Sequence, residues 1–248
     1  MGMRSLWKEM KRKKGGTANL SIEPTKGCAN LCRQCSLSTD TNVLSHLRPN
    51  VLNRRIGKIK DIGVKFGFAQ YTGRGDPISN PELHELTDVL RKHFPNMYVA
   101  SFWGLTYVGK DELVKRTRGL NLLCVSVDDH HFAGVMKQMA KSGELPKENR
   151  KEAVLEKMRE MIRAAYRAAN RNRFDLQFRF TGIPSETERW EAFVRSVLPS
   201  ESIVPVYYSL HYFRDKRGTT MVLSPYQIAV YHDGRIGMPG QIMRSSGL

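Results

Sequence analysis

Three of the chain's four cysteines, Cys28, Cys32 and Cys35, fall in a C-x3-C-x2-C run. Thiolates this close in sequence can converge on one small inorganic site. Structural tetrahedral zinc needs a fourth ligand, and its C-x2-C pairs normally come as two pairs. Only one such pair is present, and no second Cys or His cluster answers it. Three ligands on a four-iron cluster would leave one iron open, making the cluster a reagent instead of a brace. A disulfide framework does not suit the spacing; in a reducing compartment a cluster of this kind points to metal. The fourth cysteine, Cys124, stands alone and reads as a small core hydrophobe.

Other chemistry-bearing residues follow in a definite order. Gly73-Arg74-Gly75-Asp76-Pro77 has turn composition. Cys124, Ser126 and Asp128 alternate with Leu123, Val125 and Val127, and Asp175, Gln177 and Arg179 alternate with Leu176, Phe178 and Phe180. Period-two alternation puts each polar set on one face of a strand and the apolar set against covering helices. Arg179 suits a carboxylate or phosphate because its fork is bidentate. Asp129-His130-His131 reads as an exposed loop beside this face.

The elements that must hold these residues alternate. Strands are expected at 19–23, 65–71, 97–102, 120–127, 174–180 and 203–210. The clearest helix spans 147–170, with Leu155, Met158, Ile162, Ala165 and Ala169 stepping by three or four. Another spans about 51–62, and Asn80-Pro81-Glu82 opens a third with a capping Asn, an early Pro and an acid at the positive end. Strands separated in this way imply an α/β fold, a parallel sheet with crossover helices, open or curled into a partial barrel. At the end, 227–232 and 235–238 flank Asp233-Gly234, the chemistry of a β-hairpin turn. The organisation expected is one domain over 1–248: a basic N-terminal segment (1–17), a core (19–212), and a C-terminal hairpin and tail (213–248).

Composition bounds the function. The chain has 248 residues, 40 Lys+Arg against 24 Asp+Glu, and a formal net charge of +16. Its 40% hydrophobic content fits a globular chain, and no apolar run approaches a membrane span. No membrane partner is expected, and without a secretory apolar region the chain is placed in the cytoplasm. The positive balance favours an acidic partner without choosing among nucleic acid, phosphorylated small molecules and acidic proteins. Runs such as Lys11-Arg12-Lys13-Lys14 and the basic helix from Lys147 to Arg173 read first as solvated faces.

Taken together, the cysteine run after the first strand, the glycine-rich turn after the second and the polar fourth strand resemble the radical S-adenosylmethionine (SAM) enzymes. The resemblance covers about 21–210. It implies a partial (β/α)6 barrel, a [4Fe–4S] cluster on Cys28, Cys32 and Cys35, and SAM as second cofactor. Gly75, Asp76 and Pro77 stand where the family's G-G-E-P-like motif contacts the SAM amino group, with Asp76 in place of the usual Glu. Ser126 and Asp128, and on the next strand Gln177 and Arg179, are the further expected SAM contacts. The implied chemistry is reductive cleavage of SAM to a 5′-deoxyadenosyl radical, which abstracts hydrogen from a peptide, a protein, a nucleotide or a nucleic-acid base. The partner implied by the basic charge is an acidic, flavodoxin- or ferredoxin-like electron donor. Two departures stand out: Gln34 occupies the position before the third cysteine that is usually aromatic, and no cysteine follows Met238-Pro239 to hold an auxiliary cluster. The alternative from another class is a non-catalytic metal-binding, nucleic-acid-binding protein whose cysteines are structural.

Overall fold

A computed structural model of the chain describes residues 17–30, 44–61, 65–199, 204–209, 227–230 and 236–237. Its strands are β1 (Thr17–Ile22), β2 (Thr25–Lys26), β3 (Ser45–His46), β4 (Lys65–Tyr71), β5 (Tyr98–Trp103), β6 (Leu122–Ser126), β7 (Asp175–Gly182), β8 (Val204–Ser209), β9 (Gln227–Val230) and β10 (Ile236–Gly237). The helices are α1 (Pro49–Asp61), α2 (Leu83–His93), α3 (Lys110–Arg116), α4 (Asp129–Ser142), α5 (Arg150–Asn172) and α6 (Pro184–Arg195).

The main sheet runs β10-β9-β1-β4-β5-β6-β7-β8. From β1 to β8 the neighbours are all parallel and follow chain order. Crossovers between parallel strands are right-handed, so strands laid down steadily in one direction put their helices on one face. That face carries Leu20, Ile22, Ala69, Tyr71, Val99, Trp103, Leu123, Val125, Leu176, Phe178 and Phe180, which join the helices in one buried core. The opposite face carries Ser21, Gln70, Phe102, Cys124, Ser126, Gln177 and Arg179. The α/β class, the parallel sheet and the two-sided alternation of β6 and β7 are as the sequence implies.

The hairpin is also present: β10 pairs antiparallel with β9, Ile236 opposite Val230. Beyond expectation, β9 adds to the sheet parallel to β1, Leu20 opposite Ile228. The turn residues 231–235, the run at 11–14 and most of 213–248 lie outside the described residues.

Two local expectations need correction. Asp129-His130-His131 is no loop but the first turn of α4, capped by Asp128 and closed by Gly143 in the left-handed conformation. The helix expected to open at Asn80 begins at Leu83; Asn80 ends a 3₁₀ turn, Pro77–Ser79, one step earlier. On α5 the buried Val154, Met158, Ile162, Ala165 and Ala169 face the core, while Glu152 and Glu156 grip Arg159 at 2.8 and 2.9 Å on the outer side. Lys157, Arg159 and Arg163 of its basic run are thus paired with nearby glutamates on a solvated face. Among the described residues no helix is long and apolar enough to cross a membrane.

Candidate functional site

The carboxyl ends of β1, β4, β5 and β6 bring four connections together at one edge of the sheet, the edge where ligands gather in parallel α/β folds. Leaving β1, the chain pairs Thr25 with His46 and Lys26 with Ser45 in the short β2–β3 ladder, which closes the base of the cysteine segment. Thr25 Oγ1 lies 3.1 Å from His46 Nδ1. Burial, Arg116 and Arg48 lower the His46 pKa below its ordinary value. The fully buried Asn80 fastens both strands of this base: its Nδ2 donates to Pro24 O at 2.9 Å and Leu47 O at 3.1 Å. Its Oδ1 accepts from Glu82 N at 2.8 Å, so one amide also sets the start of α2.

Gly27 then forms a parallel bridge with Gly75. A Cβ at Gly75 would lie 2.5 Å from Gly27 O and 2.7 Å from Thr25 O, so only glycine lets the two backbones meet there. The next residue is the half-buried Cys28. Its expected partners Cys32 and Cys35, and Gln34, lie outside the described residues.

The turn after β4 is held by two carboxylates. Glu23, almost fully buried, receives Arg74 along one guanidinium edge, Nε to Oε1 at 2.8 Å and a terminal nitrogen to Oε2 at 2.9 Å, and through the Arg74 backbone N at 3.0 Å. Asp76, expected to reach SAM, has another task. Its Oδ1 accepts from Ile78 N at 3.0 Å, capping the 3₁₀ turn. Its Oδ2 accepts from Gly104 N at 2.9 Å, Thr106 N at 3.3 Å and Thr106 Oγ1 at 2.6 Å, tying this turn to the one after β5. Burial raises the Asp76 pKa, with the four donors pulling the other way. A carboxylate at 4% exposure with four internal donors is engaged in the scaffold.

At the end of β6, Ser126 and Asp128 are both 1% exposed. Asp128 Oδ1 caps α4, accepting from His130 N and His131 N at 3.0 Å each, and lies 2.7 Å from His131 Nδ1. Burial pushes the Asp128 pKa up, but the His131 charge and these hydrogen bonds outweigh it and hold the carboxyl at about 2. Asp128 is thus an internal cap with one buried oxygen, Oδ2, that has no hydrogen-bond partner among the described residues. The His131 ring lies against Gly104, with Nε2 3.2 Å from where a Cβ there would stand.

Gln177 and Arg179 lie beside Cys124 and Ser126 in register, and the Arg179 guanidinium sits over the Phe102 ring at 5.3 Å. Burial pushes the Cys124 thiol up to about 11, so it is inert at neutral pH, as a small core residue should be.

The structure therefore brings Cys28, Gly75, Asp76, Pro77, Ser126 and Asp128 to one edge, and sets Gln177 and Arg179 on the sheet face opposite the helices, leading to it. Among the described residues no three His, Cys, Asp or Glu side chains form a metal cluster. Glu23, Asn30, Asn80, His131 and Gln138 carry weight that sequence reasoning did not assign. Their partners lie 31 to 108 residues away in most cases, beyond any local pattern.

No family model matches the chain, and no curated protein matches it. Among solved structures it is similar to one described as BtrN in complex with AdoMet and 2-DOIA, at 10% sequence identity and a TM-score of 0.45, covering 94% of this chain and 76% of that one.

Proposed function

We propose that this protein is a radical SAM enzyme, its sheet curled as a partial (β/α)6 barrel and its site at the carboxyl edge. The observation that carries the reading is the Gly27–Gly75 bridge, which sets the residue before Cys28 against the turn after β4. Two residues 48 apart in a chain need not meet; here backbone contact joins them, and glycine is required for it. The donor set fits the group. Three thiols, Cys28, Cys32 and Cys35, suit a [4Fe–4S] cluster with one iron left for a ligand.

When bound, cluster and SAM together supply reductive cleavage of the sulfonium and a 5′-deoxyadenosyl radical that takes hydrogen from substrate. What this chain contributes is placement. Cys28, Cys32 and Cys35 hold the metal. The backbone of Gly75, Asp76 and Pro77 lines the ligand, kept in shape by the Asp76 and Glu23 carboxylates. Ser126 and the second oxygen of Asp128 offer hydrogen-bonding groups at the end of β6, and Gln177 with Arg179 line the approach along the face opposite the helices. The substrate is a peptide or protein side chain, or a nucleotide or nucleic-acid base. Exposed Arg54, Lys58 and Lys60 on α1, which has Asp61 as its one acid, suit an acidic flavodoxin- or ferredoxin-like donor.

The test is anaerobic iron–sulfide reconstitution followed by SAM and dithionite, with 5′-deoxyadenosine measured by chromatography. Release in the wild type and loss in Cys32→Ala are the expected results. Stoichiometric zinc in the purified protein, or no SAM cleavage by iron-loaded material, would overturn the proposal.

A further inference from the structure

Asn30 lies midway between Cys28 and Cys32, and it is 1% exposed. An asparagine buried to that degree must satisfy both ends of its amide. Its Nδ2 donates to Gly104 O, in the turn after β5. Its Oδ1 accepts from Gln138 Nε2 at 2.5 Å, on the third turn of α4. Gln138 is itself fixed, donating to Leu105 O at 3.2 Å and accepting from Tyr107 N at 2.9 Å.

The surroundings are shaped to this side chain. A Cβ at Gly134, one turn before Gln138 on α4, would lie 2.9 Å from Asn30 Cβ and Cγ. A Cβ at Gly104 would lie 3.1 Å from Asn30 Nδ2. Two glycines therefore leave the volume that the amide fills, and two separate elements supply its partners. Both elements also reach the rest of the site: Gly104 N binds Asp76, and the first turn of α4 holds Asp128 and His131.

We infer that Asn30 is a positioning residue for the metal thiolates, clamped between Gly104 and Gln138 so that the chain two residues beyond Cys28 is fixed relative to α4. The inference rests on the reading of Cys28, Cys32 and Cys35 as metal ligands. A ligand set held in place before metal arrives binds more tightly than one that must be ordered by it.

The experiment titrates the full-length, reduced, metal-free protein with cobalt(II) under argon and follows thiolate-to-cobalt charge-transfer absorbance. Asn30→Ala, Gln138→Met and the double variant are compared with wild type and with Val194→Ala, a truncation in the buried face of α6 that lowers stability away from the site. The clamp predicts about tenfold weaker cobalt binding in Asn30→Ala and in Gln138→Met, with the double variant weakened by less than the product of the singles because both remove the Asn30–Gln138 hydrogen bond. Val194→Ala should bind cobalt as wild type does. Affinity within twofold of wild type in Asn30→Ala, or equal weakening in Val194→Ala, would overturn the clamp. Wild-type protein with no thiolate–cobalt band would overturn the ligand assignment itself. Cobalt binding without later SAM cleavage by the iron-loaded enzyme would remove the proposed activity and leave the clamp standing.

Discussion

Asp76 gives the sharpest test, because sequence and structure assign its carboxylate different work. If it served only a ligand, its removal would spare the fold. The structure instead surrounds it with four donors, Ile78 N, Gly104 N, Thr106 N and Thr106 Oγ1, at 2.6 to 3.3 Å. Hydrogen bonds to a charged group contribute about 1.5–3 kcal/mol each, and a buried donor left unmatched costs about 1–3 kcal/mol, though such terms do not add in full. Asp76→Ala strands four donors in the core, so a loss of about 3–5 kcal/mol is expected. Asp76→Asn can turn its carbonyl toward Gly104 and Thr106 and abandon only Ile78 N, for a loss of about 1–3 kcal/mol. Urea denaturation at pH 7 reads both: with a slope of about 2 kcal/mol per molar, the alanine variant should shift its midpoint by about 2 M at unchanged slope. The pH arm has a definite sign. Burial holds the folded pKa of Asp76 above its ordinary value, so the folded state keeps the proton longer than the unfolded state does. Its contribution is complete below the unfolded pKa and is lost as pH rises through the folded one, so the gap between wild type and Asp76→Asn should narrow over that window. An Asp76→Ala midpoint within about 0.3 M of wild type would refute the scaffold role.

Three further outcomes are expected. Gly75→Ala places a methyl 2.5 Å from Gly27 O, a backbone atom that cannot swing aside, and should both destabilise the chain and lower the iron retained after reconstitution, measured by colorimetric assay; full iron retention would contradict the bridge. Glu23→Gln leaves the Arg74 guanidinium partly buried without its bidentate acceptor and should cost about 2–4 kcal/mol in urea denaturation. Asp128, ordinarily 3.8 and here about 2, contributes stability that is complete above about 4 and disappears as pH falls through about 2. Acid titration by circular dichroism should therefore show wild type losing about 2 kcal/mol over that range, a slope that Asp128→Asn lacks.

Most strands were legible because each is a short apolar or alternating run bounded by Gly, Pro or Asn, and Lys65–Tyr71 matches to the residue. The Asp233-Gly234 pair announced the hairpin through local turn chemistry alone. The first turn of α4 was misread because Asp128-Asp129-His130-His131 is polar throughout. The cues lay on either side: a capping Asp, then Val135 and Met139 four apart, then a closing Gly143. The role of Asp76 was not legible, since its donors come from Gly104 and Thr106, on a turn that only the sheet brings near. The pairing of Glu23 with Arg74 spans 51 residues and leaves no periodic trace. Spacing shows which residues could do chemistry, whereas only tertiary contact shows which of them are already engaged.

The Asn80 fastening has an engineering consequence. With Pro24 and Leu47 moored to one buried amide, the ends of the intervening stretch are set by the scaffold and not by the stretch itself. Closing a longer insert between fixed posts costs only about 0.6 kcal/mol per doubling of its length. A graft spliced after Asn30 and before Leu47 would therefore keep the same footing at the carboxyl edge of the sheet, because Gly27, Asn30 and both moorings stay in place.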